Sequence, residues 1–559
     1  MNIKEEIIYK LLEAKACTRG DFTRVVASVY KNDNTSGYHS NMELRSTYQM
    51  LVDSGDIEIN ENLEKLLITK KMRSLSGVSV ITVLTKPYPC PGNCIYCPTV
   101  KNVPKSYLPD EPAVMRAILN DYDPKKQVET RMESLVGQGH PVEKVELIII
   151  GGTFSHLPKS YQEEFAKSCF DALNGSVSKN LVEAKKLNEL SISRCVGLTL
   201  ETRPDHITKE EVKWFRYLGA TRVELGVQTI YNNILQLNNR GEKIEDTVRA
   251  TKLLKDAGFK ICYHLMPNLY GSDLKKDKQM FVEIFNNSDF CPDYIKIYPC
   301  MVINGTELYK LWQEGKYTSY TDEELSELIC DIKREVPYWI RIMRTIRDIP
   351  AGNIESGSKV SNMRQNILKQ AEDEGWKCHC IRCREIGAGP AYSSSSSSFE
   401  PERRGSQASE PNGLVTNPGI SDGPSEGDLH LRKDDKPIMF TDKYDASEGT
   451  EYFLSFEDEK RENLYSLLRL RLTNNQTIDA IRNCAIIREV HTYGKEVEIG
   501  KKGDNQHKGY GRRLIEEAEK IAKSNEYKQI AVISGIGARD YYRKFGYEVV
   551  GEYMVKELT

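Results

Sequence analysis

Three cysteines, Cys90, Cys94 and Cys97, stand in the stretch "TKPYPCPGNCIYCPT" with the spacing C-x3-C-x2-C. Thiolates are soft ligands. Three on one short loop can hold zinc with an open fourth position, or an iron–sulfur cluster with one iron left free. A disulfide framework needs pairs, and three is odd. A second set, Cys378, Cys380 and Cys383 in "WKCHCIRCRE", is a candidate structural zinc site that needs a fourth ligand, with Cys300 and His379 as the choices. A third signal is "QHKGYGRRLIEEAEKIAKSN", where Gly509 and Gly511 open onto an amphipathic helix pattern. Paired glycines let the backbone approach a ligand closely, and the free N–H groups of a helix start suit phosphate.

At 559 residues the chain implies two to four domains. With 39% hydrophobic and 28% charged residues it reads as soluble and globular. The amino-terminal "MNIKEEIIYKLLEAKAC" predicts an amphipathic helix and neither a signal nor a transit peptide, so no membrane partner is expected and the location is expected to be cytoplasmic, with room for a nuclear pool. Fourteen cysteines in such a chain favour metal binding over disulfides. A net charge of −3 leaves any nucleic acid to local basic patches. The candidates are Lys70, Lys71 and Arg73, with Lys101 and Lys105, and then Arg341, Arg344 and Arg347, whose three-residue spacing predicts a helix.

The elements that must carry these groups follow from the apolar pattern. Residues 1–75 read as a helical region. "VSVITVLT" then leads into the first cysteines, and five similar runs follow, each with helical sequence after it: "KVELIIIGG", "CVGLTLETRPD", "TRVELGVQT", "KICYHLMPN" and "YIKIYPC". Continuous apolar strands alternating with helices predict an α/β fold with a parallel sheet, here a partial (β/α)6 barrel over 76–386. Chemistry in such barrels gathers at the carboxyl ends of the strands, where Gly151, Gly152, Thr153, Glu201, Arg203, Gln228, His264 and Lys296 fall. The Ser-, Pro- and Gly-rich residues 387–435 predict a low-complexity linker or insertion, and a second domain spans 436–559.

In that second domain, "AIIREVHTYG", the glycine turn and "QIAVISGIGARDYYRKFGYEVV" resemble the acetyl-coenzyme A domain of the GNAT acetyltransferases. A barrel whose first strand runs into C-x3-C-x2-C, with Tyr96 before the last cysteine, resembles the radical S-adenosylmethionine (SAM) superfamily. The two together, with "GGTF", "TLETRPD", "HLMPN", "KIYP" and "TEYFLSFED", resemble the catalytic subunit of Elongator, the tRNA uridine acetyltransferase (carboxymethyluridine synthase) family. The resemblance spans nearly all of the chain outside the linker.

It implies a 4Fe–4S cluster on Cys90, Cys94 and Cys97, and SAM held near Gly151, Gly152, Thr153 and Glu201. It also implies acetyl-CoA bound by Lys144, Glu489, Val490, His491, Thr492, Gly509, Tyr510, Gly511, Arg512, Tyr541 and Tyr542. The implied reaction is hydrogen abstraction from the acetyl methyl by a SAM-derived radical, then addition to the wobble uridine in a tRNA anticodon loop. Lys70, Lys71, Arg73, Arg341, Arg344 and Arg347 would hold the RNA. Other Elongator subunits and a homodimer are the further expected partners. A protein lysine acetyltransferase with a structural Fe–S domain is the alternative. One departure touches the site: "NNRGE" places Glu242 where the family usually has His.

Overall fold

The structure is a computed structural model that describes residues 2–32, 39–68, 77–360, 362–386, 437–494 and 509–558. The linker expected at 387–435 and the basic Lys70, Lys71 and Arg73 lie outside the described residues. No described helix is long and apolar enough to cross a membrane.

Four helices come first: α1 (Ile3–Glu13), α2 (Arg19–Asn32), α3 (Asn41–Asp53) and α4 (Glu61–Leu67). Capping boxes start α1 (Asn2 with Glu5) and α3 (Ser40 with Glu43), so each helix begins where side chains satisfy its free N–H groups. Ile7, Ile8, Leu11, Leu44, Tyr48 and Leu67 close a small core of their own.

Seven parallel strands then form one sheet in sequential order: β1 (Ser79–Leu84), β2 (Lys144–Ile150), β3 (Arg194–Thr202), β4 (Arg222–Gln228), β5 (Lys260–Leu265), β6 (Tyr294–Ile297) and β7 (Arg341–Arg344). Alternate residues of each strand face the covering helices. Val145, Leu147, Ile149, Leu198, Leu200, Val223, Leu225, Ile261 and Ile295 are buried there with Phe165, Phe170, Phe215 and Phe281. Each such side chain contributes about 1.5–3 kcal/mol by leaving water.

The seventh strand corrects the helix predicted for the arginines. Arg341–Arg344 pairs with β6, Tyr294 opposite Arg341, and completes the hydrogen bonding of an edge that six strands would leave open. A spacing of three fits a helix, but four residues are too few for their periodicity to be tested against a strand.

The second sheet has the order β13-β14-β12-β11-β10-β9-β8. Its strands are β8 (Ile438–Ala446), β9 (Gly449–Glu457), β10 (Leu464–Leu472), β11 (Cys484–Thr492), β12 (Gln529–Val532), β13 (Glu548–Val550) and β14 (Tyr553–Glu557). The helix Tyr510–Ser524 packs on it through Leu514, Ile515, Ala518 and Ala522.

The two sheets are joined by buried charge. Arg488 of β11 reaches across to Asp293 at the start of β6, with Nη1 donating to Oδ2 at 2.9 Å, and also donates to Phe259 O at 2.7 Å. Its Nε donates to Glu451 at 3.1 Å. Arg469 lies 3.4 Å from the same aspartate, and Arg471 donates to Asp256 at 2.5 Å. All are buried. Backbone contact completes the joint: a Cβ on Gly535 would sit 2.1 Å from Val196 O in β3, so only glycine permits this approach.

Burial alone would raise the Asp293 and Glu451 carboxyls, but the surrounding cations, Arg488 first, hold both below the ordinary carboxylate range. A depressed carboxyl contributes stability that is complete above its unfolded value and drains as pH falls toward the folded one. Melting temperature is therefore expected to fall steeply below about pH 4.5, with both domains losing structure in one transition. Asp293→Asn leaves two buried guanidiniums short of a counter-charge, and chemical denaturation at neutral pH should show a loss of about 3–5 kcal/mol. Two well-separated transitions in the wild type would contradict this account of the joint.

Candidate functional site

Cys90, Cys94 and Cys97 lie on the segment that follows β1, at the carboxyl end of the barrel. That segment is pinned from several sides. Lys105 Nζ donates to Gly92 O (2.8 Å) and Asn93 Oδ1 (3.1 Å), Asn239 Nδ2 to Asn93 O (3.0 Å), and Leu308 N to Ile95 O (2.9 Å). Lys105, expected to meet RNA, is thus spent on the cysteine segment.

Two guanidiniums back the thiols. Arg240 Nη1 donates to Cys94 Sγ at 3.6 Å. Arg203 sits where a Cβ on Gly92 would meet its Nη1 at 2.2 Å. Arg203 is held by Asp205 (2.9 and 2.8 Å) and Arg240 by Glu242 (2.9 and 2.5 Å), while Glu242 also lies 3.3 Å from Arg203. A hydrogen bond from Cys97 holds Cys94 below the ordinary thiol range, against burial and with help from Arg240. Burial pushes the Glu242 carboxyl up to about 7, opposed by Arg240 and Arg203. Cations beside sulfur are what an anionic thiolate-bound cluster needs, so the donor set fits a 4Fe–4S cluster. Sequence reasoning missed Arg240; its signal was a charged pair flanking a glycine in "NNRGE".

Gly151, Gly152 and Thr153 stand across a small cleft from Cys90, which Tyr88, Lys105 and Leu157 also line. Gly151 has φ +141°, and a Cβ there would collide with Thr85 Oγ1 at 2.0 Å. Glu201 accepts from Tyr107 OH at 2.7 Å and lies 3.6 Å from His264 Nδ1, so it faces the inside of the barrel. These residues offer backbone and carboxylate groups beside the thiols, as an amino-acid-like ligand requires.

The second centre opens at the opposite end of the barrel. A cavity of ≈1660 Å³ lies between the first residues of the strands and the second sheet, lined by Lys144, Val490, His491, Thr492, Gly509, Gly511, Arg512, Tyr541 and Tyr542 among others. It exists because β12 pairs with β11 only over Cys484–Ile487, so the two strands part before Glu489–Thr492. The helix Tyr510–Ser524 begins at Gly509 (φ +81°) without a side-chain cap, leaving its first N–H groups for a ligand. Gly511 faces Thr492 and Tyr541, and a Cβ there would come 2.8 Å from Tyr541 OH. His491 Nε2 is buried without a hydrogen-bond partner, and burial holds the ring neutral. Cradle, cavity and orphan atom fit a coenzyme with a pyrophosphate. Glu489 is less free than expected: Arg469 Nε donates to it at 2.8 Å and Tyr294 OH at 2.5 Å. Burial would raise its carboxyl, but Arg469 and Lys260 hold it at about 2.

Cys378, Cys380 and Cys383 do converge, with ligand atoms within 4.8 Å of one another. Lys333 Nζ and Arg364 Nη2 lie 3.6 and 3.8 Å from Cys383 Sγ. No fourth Cys, His or carboxylate joins them among the described residues. Cys300 is corrected: it is buried with Cys94, Tyr96, Val302 and Leu308, at the other end of the barrel. His379 stacks on Tyr338 instead, centroids 4.7 Å apart. The three thiols thus converge beside two cations, without a fourth ligand among the described residues.

The arginines expected to hold RNA have partners within the chain. Arg341 is ion-paired with Glu385, and Arg347 with Glu111 at 2.9 Å while lying over the Tyr107 ring at 5.0 Å. Only Arg344 is substantially exposed, and it pairs with Asp348 at 2.7 Å. Arg347 braces the segment that follows the cysteines.

Comparisons with known proteins agree with this division. The Radical SAM superfamily model matches residues 88–281, the Radical_SAM C-terminal domain 292–373, and an Acetyltransferase (GNAT) domain 502–557. The tRNA uridine(34) acetyltransferase of Methanocaldococcus jannaschii is 45% identical over 513 residues, which is 89% of this chain and 88% of that protein. Elongator complex protein 3 of Homo sapiens is 38% identical over 508 residues, 88% of this chain and 86% of that one. A solved structure of the archaeal Methanocaldococcus infernus Elp3 with an N-terminus deletion is 42% identical with a TM-score of 0.71, covering 87% of this chain and 100% of that chain.

Two substitutions separate the centres. Cys94→Ala removes the thiol nearest Arg240, and anaerobically reconstituted protein should lose most of its iron and its thiolate-to-iron absorption. Gly511→Glu places bulk and negative charge at the helix start and should abolish measurable acetyl-CoA binding by calorimetry while iron content stays normal. Full iron retention in the first, or unchanged affinity in the second, would contradict the assignment.

Proposed function

This chain belongs to the family of the tRNA uridine(34) acetyltransferases and Elongator complex protein 3, and from that premise we infer how its two centres share one reaction. It is a tRNA uridine(34) acetyltransferase with a radical SAM domain and a GNAT domain. We propose that the product is 5-carboxymethyluridine at the wobble position. The net change moves one hydrogen atom from the acetyl methyl into 5′-deoxyadenosine as SAM is split to methionine. It releases the hydrogen of uracil carbon 5 as a proton, with its electron replacing the one consumed in cleaving SAM. It joins the two carbons and hydrolyses the thioester to a carboxylate and free coenzyme A.

The observation that carries this reading is the placement of the two centres at opposite ends of one barrel, held together by the Arg488–Asp293 joint. When bound, the cluster and SAM supply a one-electron oxidation that can take hydrogen from an unactivated methyl, which no side-chain base can deprotonate. Around them, Cys90, Cys94 and Cys97 hold iron, Arg240 and Arg203 balance the charge, and the Gly151 strand end leaves room beside Cys90. Gly509–Arg512 cradle the pyrophosphate, while Val490–Thr492 and Tyr541 line the arm of the coenzyme. Among the described residues RNA contact falls to exposed cations such as Lys101, since Lys105, Arg341 and Arg347 are engaged within the protein. Assembly with other Elongator subunits and a cytoplasmic location follow from the same family reading.

The test uses acetyl-CoA deuterated on the methyl. With SAM, a low-potential reductant and tRNA, deuterium should appear in 5′-deoxyadenosine, and nucleoside mass spectrometry should find carboxymethyluridine. Acetyl transfer to lysine without SAM, with no label leaving the methyl, would favour a protein acetyltransferase instead.

A further inference from the structure

The inside of a β/α barrel is ordinarily filled by layers of branched apolar side chains. Here several inward-facing positions on β4, β5 and β6 are charged. Register alignment places Arg222 beside Lys260, Glu224 beside Cys262, and His264 beside Lys296, on the strand face opposite Val223, Leu225, Ile261 and Ile295. Buried charge is costly unless it is paired or used.

The coenzyme cavity opens directly onto this lumen. Glu146, Gly197, Arg222, Lys260 and Tyr294, the first inward layer, line the same cavity as Gly511 and Thr492. At the far end Glu201 and His264 face the mouth that carries the cysteine segment, through Tyr107. Four residues of strand separate the layers of Lys260 and His264, about 13 Å.

Between them stands a cluster of buried ions. Glu224, fully buried, accepts from Lys296 and lies 2.8 Å from His264 Nε2. Arg222 Nε is 3.8 Å from Glu224 Oε1, too far to hydrogen-bond, and pairs through Nη1 with Glu146 at 2.5 Å. Arg222 Nε and Nη2, Glu224 Oε1 and Thr199 Oγ1 are buried with no partner. Such atoms call for water or a ligand. Glu224, Cys262 and His264 lie within 4.8 Å of one another, as for a divalent ion, but the Lys296 ammonium already serves Glu224 and burial keeps the Cys262 thiol protonated.

We propose that the lumen of the half-barrel is the acyl channel of this enzyme. The thioester end of bound acetyl-CoA enters between Glu146, Arg222, Lys260 and Tyr294, and its carbonyl oxygen accepts from the unpartnered Arg222 Nε and Nη2. The methyl then points past the Glu224–Lys296 pair toward the cysteine mouth. This inference rests on the acetyl-CoA reading of the cavity and adds the path and its selectivity: the channel admits a short acyl group and excludes the pyrophosphate.

The test is photolabelling of the full wild-type chain with a short-chain acyl-CoA carrying a diazirine in its acyl group. Labelled peptides should contain 222–228, 260–265 or 294–298, and excess acetyl-CoA should suppress them. Labelling confined to the second domain or to exposed residues overturns the channel. A second arm uses Gly197→Trp, since a Cβ there meets only ordinary contacts, Glu146 Cγ and Thr221 Oγ1 at 3.6 Å, and the indole would cover the lower mouth. Coenzyme A binding and reductive SAM cleavage should persist, while deuterium transfer from labelled acetyl-CoA falls about a hundred-fold. Transfer at the wild-type rate overturns the channel. Absence of transfer in the wild type would instead strike the proposed reaction, and photolabelling would still decide the path.

Discussion

Asp293 is the constraint on which the rest depends. It immediately precedes β6, accepts the backbone N–H of Ile261 at 2.9 Å, and neutralises Arg488 and Arg469 from the other sheet. One carboxylate thus ties two barrel strands to two strands of the second domain, all away from water. An apolar joint could be as stable, but it would tolerate sliding. A set of ion pairs with fixed hydrogen-bond directions accepts one register, because any other leaves buried charge unpaired. That register aims the uncapped helix start at Gly509 toward the open lower end of the barrel.

The barrel then separates two kinds of polarity. Its outer face buries Val, Leu, Ile and Phe under helices and supplies the stability. Its ends and interior carry the groups that such burial must offset. At the upper end, Arg240 and Arg203 place positive charge beside thiols, each fixed by its own carboxylate. At the lower end, strand divergence after Ile487 creates space where a continuous sheet would have none. Both centres are therefore made by interrupting regular structure: a long segment after one strand, and a parting of two others.

Much of this was legible in the chain. Local chemistry is written locally: C-x3-C-x2-C, the glycine pair before an amphipathic helix, and six apolar strands alternating with helices each depend on neighbours within a few residues. The order of the barrel strands followed from the same alternation, since parallel strands with crossover helices add in sequence. What the chain alone determined was the identity of the groups that could do chemistry and the elements that carry them.

Which of those groups are free to act was decided only by tertiary structure. Arg347 and Lys105 read as basic surface, yet one braces Tyr107 and Glu111 and the other holds the backbone at Gly92. Cys300 read as a zinc ligand, yet it lies among the apolar neighbours of Cys94. Arg222 and Glu224 sit on β4 and Lys296 on β6, and nothing in the local pattern says that the lysine meets that glutamate. A charge is available or spent according to its partner, and the partners here are 13 to 241 residues away along the chain. Local sequence pattern carries no record of such distant pairings, because they are set by the closing of the sheet and the docking of the second domain.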